Sequence, residues 1–124
     1  MNISLKKKNS IIVGGSGQFG ISLANQLIKK NYHVVITTRN INKSKKKIDN
    51  NKKNIELLKL DVLKVKQIEK IIKKYKPNNI FYFAGLSSPS LSFKKPKETY
   101  LSNFIGCSNF LKVIKSQKIP CKFL

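Results

Sequence analysis

Gly14, Gly17 and Gly20 follow the apolar run Ile11-Ile12-Val13 and open a segment of helical period. A strand, a glycine turn and a helix start in that order are what capture of a pyrophosphate by backbone N–H groups requires. Gly14 permits a tight exit from the strand, and Gly17 lets a phosphate approach the backbone with no Cβ in the way. Gly20 lets the helix pack closely on the strand. Ser16, Gln18 and Phe19 complete the turn, and the anion is placed at the helix N-terminus, where N–H groups and the helix dipole favour it. A glycine pattern alone is a weak signal; its strand–turn–helix setting makes it specific to dinucleotide binding.

The residues that would choose the nucleotide come at the end of the next strand. An acid there binds a ribose 2′-hydroxyl and selects NAD, whereas an Arg accommodates the 2′-phosphate of NADP. The chain has Thr37-Thr38-Arg39-Asn40, with no acid, and Arg39 is its single arginine. NADP is therefore expected, the plainer alternative being that Arg39 is a solvated strand-end residue. Asp61, followed by Val62, closes a third strand; its carboxylate either accepts from the adenine amino group or caps the following helix. Phe83-Ala84-Gly85-Leu86 ends a fourth strand, where Ala84, Gly85 and Leu86 would let the backbone pass close to a cofactor. Ser87, Ser88 and Ser90 lie where a substrate phosphate or sugar could be met, or they cap loop backbone.

Other chemistry is poorly represented. Cys107 and Cys121 form no metal-ligand spacing and read as reduced packing thiols, so no metal is expected. His33 stands at the start of a strand, away from the glycine turn, and reads as a surface residue rather than a base. The net charge is +21, from 26 Lys and Arg against 5 Asp and Glu. The lysines are spread over every predicted element, and Arg, the better residue for phosphate and base recognition, occurs once. That pattern describes solvated surfaces, so no nucleic acid partner is expected. No segment reads as a secretory signal or a membrane span, which predicts a cytoplasmic protein with no membrane partner.

The elements that must position these residues alternate in period. Strands are predicted at Ser10–Val13, Tyr32–Thr37, Ile55–Leu60 and Ile80–Ala84, with a fifth near Cys121. Helices are predicted at Gln18–Lys30, Lys64–Tyr75 and Lys97–Ser116. The first would bury Phe19, Leu23, Ala24, Leu27 and Ile28. The second would bury Val65, Ile68, Ile72 and Tyr75; the third Leu101, Phe104, Ile105, Ser108, Leu111 and Ile114. Residues 40–54, rich in Lys and Asn, allow at best a short, loosely packed helix. This alternation predicts a single α/β domain, a Rossmann-type doubly wound parallel sheet of order 3-2-1-4-5, with the crevice over strands one and four.

On those residues the chain resembles the N-terminal half of the extended short-chain dehydrogenases/reductases, the NAD-dependent epimerase/dehydratase family. It is most similar to the pattern of GDP-mannose 4,6-dehydratases. The resemblance is carried by Gly14 to Gly20, Arg39, Asp61-Val62, Phe83 to Ser87, Ser92-Phe93 and Asn103-Phe104-Ile105-Gly106-Cys107. It implies an NADP-binding portion of a nucleotide-sugar 4,6-dehydratase (a lyase), acting on GDP-mannose to give a GDP-4-keto-6-deoxy sugar, with Ser87 and Ser88 toward substrate. It also implies a homo-oligomer at full length. An NADP-dependent nucleotide-sugar epimerase or reductase, or a non-catalytic NADP-binding module, remain open alternatives. The family's catalytic Ser or Thr and its Tyr-x-x-x-Lys pair follow the fifth strand, where this sequence ends at Leu124. None of Tyr32, Tyr75, Tyr82 or Tyr100 has Lys four positions on. The expectation is a cofactor domain over residues 1–124, the N-terminal part of a longer enzyme truncated before the catalytic part, with no catalytic residue of its own.

Overall fold

In a computed structural model, residues 7–15, 17–46, 48, 53–84 and 94–124 are described. Five strands, β1 (Asn9–Val13), β2 (His33–Thr38), β3 (Ile55–Lys59), β4 (Asn79–Tyr82) and β5 (Lys122–Phe123), form one sheet of order β3-β2-β1-β4-β5. Every pairing is parallel, with Ile12 of β1 opposite Ile36 and Phe81. The expected order is the observed one. β1 is apolar on both faces because it is covered on both, as the central strand of a parallel sheet must be. Ile11 and Val13 face a cluster with Ile68, Ile72, Phe110 and Val113, while Ile12 faces Ala24, Leu27, Val34 and Ile36.

The helices supplying those layers are α1 (Gln18–Lys29), α3 (Val65–Tyr75) and α5 (Gly106–Gln117); α2 (Ile41–Lys45) and α4 (Pro96–Tyr100) are short. α1 stops where Asn31 turns left-handed (φ 66°) and its N–H reaches the Ile28 carbonyl at 2.9 Å. Left-handed Lys76 ends α3 before Pro77, and left-handed Lys118 ends α5. A left-handed cap after the last helical residue satisfies carbonyls the helix leaves open.

Three faces differ from the sequence pattern. In α1 the buried stripe is Gly20, Ala24 and Leu27, and Phe19 is 84% exposed, with Gly20 packed against the Gly15 backbone instead. In α3, Ile68, Ile72 and Tyr75 are buried as expected, but Val65, at the first turn, is exposed. The largest difference is in the last helix, which is not one regular element. A π-helical turn, Leu101–Ile105, joins α4 to α5. The buried positions are Ser102, Gly106, Asn109, Phe110 and Val113, a stripe of helical period on a different face from the expected one, while Phe104 and Leu111 are exposed.

His33 is not a plain surface residue. At the end of the sheet opposite the glycine turn, its Nε2 lies 3.4 Å from Glu56 Oε2, its ring stacks on Tyr75, and the Tyr75 hydroxyl donates to the same carboxylate oxygen. The Tyr75 hydrogen bond, outweighing burial and aided by His33 and Lys74, holds the Glu56 carboxyl below its ordinary value. A carboxyl whose folded pKa is lowered contributes stability that is full above its ordinary range and lost as pH falls through the folded value. Acid titration of the melting temperature should therefore show a steeper loss below about pH 4.5 for the wild type than for Glu56→Gln. Parallel acid limbs would contradict this. Burial, then the bond to Glu56, pushes Tyr75 up to about 12.

Candidate functional site: a cleft at the carboxyl ends of the strands

A cleft of about 260 Å³ opens over the carboxyl ends of β1, β2, β3 and β4. Val13 and Gly14 form its floor, Thr38, Arg39 and Asn40 one wall, Leu60 and Val62 the next, and Phe83, Ala84 and Ser102 the far side. This is the crevice where an open α/β sheet binds its ligand.

The glycines of the opening turn divide by the reason for their presence. Gly14 has φ +71°, donates its N–H to the Thr37 carbonyl at 2.9 Å, and a Cβ on it would lie 2.6 Å from Ala84 Cα. A Cβ on Gly20 would meet the backbone of Gly15, at 2.5 Å from its Cα. Both are demanded by the protein's own packing. Gly17 is different: its backbone is extended (φ −78°, ψ 173°), and a Cβ there would meet nothing within 4 Å among the described residues. Neither strain nor crowding asks for glycine at this position, so the open space over it is room for something else. Gly17 is also the N-cap of α1, which has no side-chain cap and no acid in its first turn, with Gln18 and Phe19 exposed beside it. The residues fit a phosphate there.

Arg39 is carried on a fixed turn with its side chain exposed. Thr38 Oγ1 shares a buried 2.9 Å hydrogen bond with Ser44 Oγ and accepts from Asn40 N–H at 3.3 Å, and Asn40 Oδ1 caps α2 through the Lys43 N–H. The guanidinium is exposed and has no carboxylate partner among the described residues. Asp61 does not cap α3, whose N-cap is Lys64; its Oδ1 instead accepts from the Leu63 N–H at 3.0 Å, one residue past Val62. Val62 lines the cleft and Asp61 stands beside it.

Ala84 lies in the cleft wall as the sequence suggests. Ser16, Gly85, Leu86, Ser87 and Ser88 lie outside the described residues. Ser102 also lines the cleft, and pattern reading does not single it out, because a small polar residue within a helical segment carries no burial signal. The Tyr82 hydroxyl donates to its carbonyl at 2.5 Å, and burial, then Cys107, pushes that phenol up to about 12. Cys107 and Cys121 are free thiols, and among the described residues no cluster of metal-ligating side chains occurs. No described helix is long and apolar enough to cross a membrane.

Sheet order, glycine turn and crevice together define a Rossmann-type unit of the extended short-chain dehydrogenase/reductase class. The family of GDP-mannose 4,6 dehydratase matches residues 11–124, and the chain belongs to that family, one of nucleotide-sugar epimerases and dehydratases. Among curated proteins it is similar to bifunctional protein GAL10 of Kluyveromyces lactis (24% identical, covering 90% of this chain and 17% of that protein). It is also similar to UDP-glucose 4-epimerase of Pasteurella multocida (26% identical, covering 85% and 32%). Among solved structures, epimerase Mth375 of Methanothermobacter thermautotrophicus superposes with a TM-score of 0.83 at 24% identity, over 94% of this chain and 34% of that one. UDP-glucose 4-epimerase of Brucella ovis, solved in complex with NAD, gives 0.76 at 20% identity, over 90% and 33%. The chain thus spans about a third or less of the length of these relatives.

Proposed function

We propose that this chain is the NADP-binding portion of a nucleotide-sugar 4,6-dehydratase acting on GDP-mannose. The observation that carries the cofactor reading is the unobstructed space over Gly17 at the start of α1. A pyrophosphate would rest there on the first N–H groups of α1, with Gly14 turning the backbone out of its way. Arg39 would hold the 2′-phosphate, and Asp61 would offer its second carboxylate oxygen to the adenine amino group beside Val62. Ala84, with Gly85 and Leu86, would pass along the cofactor, and Ser87 and Ser88 would meet the substrate. Bound there, the nicotinamide would accept a hydride from the sugar and return it. The family match supports the dehydratase; the similarity to UDP-glucose 4-epimerases favours a nucleotide-sugar epimerase as the second reading. Incubating the full-length enzyme with GDP-mannose and with UDP-glucose separates them. A product lighter by one water from GDP-mannose supports the first, and an epimerised UDP-sugar of unchanged mass the second.

Cofactor choice is tested at Arg39. A charge-assisted Arg–phosphate contact contributes about 1.5–3 kcal/mol, or roughly 10- to 100-fold in affinity. Arg39→Asp should weaken NADPH by that factor in a fluorescence titration while NADH binds as well as before or better. Wild-type protein that binds NADPH and NADH equally would remove Arg39 from this role.

A further inference from the structure

The turn between β3 and α3 is tied on both sides by amide side chains. Asp61 donates its N–H to Gln67 Oε1 at 3.0 Å, from one turn inside α3. The Val62 carbonyl accepts from Asn109 Nδ2 at 3.0 Å, a buried bond from α5, 47 residues further along the chain. Asn109 is 8% exposed. A buried amide costs free energy unless it is bonded, and this one is bonded to a backbone oxygen of the cleft wall. α5 comes close enough to do this because Gly106 lacks a side chain: a Cβ there would press on the Tyr82 hydroxyl and lie 2.6 Å from Val62 Cγ2.

Apolar packing alone would not set this turn's orientation. Val62 is buried in the core, but apolar contact is non-directional and does not itself orient the peptide planes, which local bonds from the Leu63 and Lys64 N–H groups to Asp61 tie only to the turn itself. The two amide bonds are directional, and they hold the peptide group before Asp61 and the one after Val62, at the two ends of the Asp61–Val62 turn. We propose that Asn109 and Gln67 are positioning residues for the adenine end of the cleft, holding the Asp61–Val62 turn in the orientation that presents its carboxylate to the base. This rests on the dinucleotide reading above and deepens it.

The test compares NADPH with deamino-NADPH, in which hypoxanthine replaces adenine and the amino group is gone. Wild-type protein is expected to prefer NADPH by about tenfold, the effect of one hydrogen bond to a charged acceptor. Asn109→Leu should lose most of that preference, NADPH weakening while deamino-NADPH changes less than about twofold. Gln67→Leu, at a half-exposed helical site that does not threaten folding, should act in the same direction. Equal weakening of both ligands, or an unchanged preference in the folded variants, overturns the positioning role while leaving the cofactor site intact. Wild-type protein that binds neither ligand overturns the dinucleotide reading and this inference with it.

Discussion

Gly17→Val should abolish NADPH binding, by at least ~100-fold in a titration, while the protein stays folded. The two halves of that outcome come from the same geometry. Among the described residues no atom beyond its chain neighbours lies within 4 Å of a Cβ at Gly17, and the residue's φ and ψ are ordinary extended values that valine adopts readily. The fold therefore loses only the difference between Gly and Val as an N-cap, about 1 kcal/mol, which lowers the melting temperature by a few degrees. The ligand loses its approach, because two methyl groups would occupy the space above the first N–H groups of α1. Calorimetric titration and a melting curve on one sample check both. Retained NADPH affinity would mean that the space over Gly17 is incidental, and the cofactor assignment would lose its main support.

The parts of this molecule readable from sequence are those set by local rules. Sheet order followed from alternating periods and from the handedness of crossovers. The glycine turn was legible because each of its elements lies next to the others in the chain. The expected end of α1 at Lys30 falls within a residue of the observed one, where Asn31, a residue type that tolerates the left-handed cap, follows. The parts missed depend on contacts between distant residues. The π turn at Leu101–Ile105 leaves no trace in residue types, and the buried face of the last helix carries Ser102, Gly106 and Asn109, small or polar residues that an apolar period does not pick out. The anchoring of the Asp61 turn by Asn109 is invisible for a similar reason: an Asn within a helical pattern reads as a surface residue until α5 is known to pack on Val62. His33 was read as solvated because its partners, Glu56 and Tyr75, are assembled only by the parallel pairing of β2 with β3 and the packing of α3. Phe19 was placed in the core by period alone, where the close approach at Gly20 takes that position and leaves the ring outside.

Gly20→Ala should do the reverse of Gly17→Val and damage the fold itself. The added methyl would sit 2.5 Å from Gly15 Cα and 2.6 Å from Gly15 C, against backbone rather than a side chain that can swing aside. Relief requires moving α1 off the sheet, which opens the packing of Ala24 and Leu27 against Ile12 and Ile36. Overpacking of this kind costs about 1–3 kcal/mol or somewhat more, a large part of the stability of a domain this size. The expected result is a denaturant midpoint shifted well below the wild type at unchanged slope. Cofactor affinity of the folded fraction should fall as well, because the N-terminus of α1 moves with its helix. If Gly20→Ala melts with the wild type while Gly17→Val does not, the division between a glycine kept for packing and one kept for the ligand is reversed. The anion site would then have to be sought at another part of the turn.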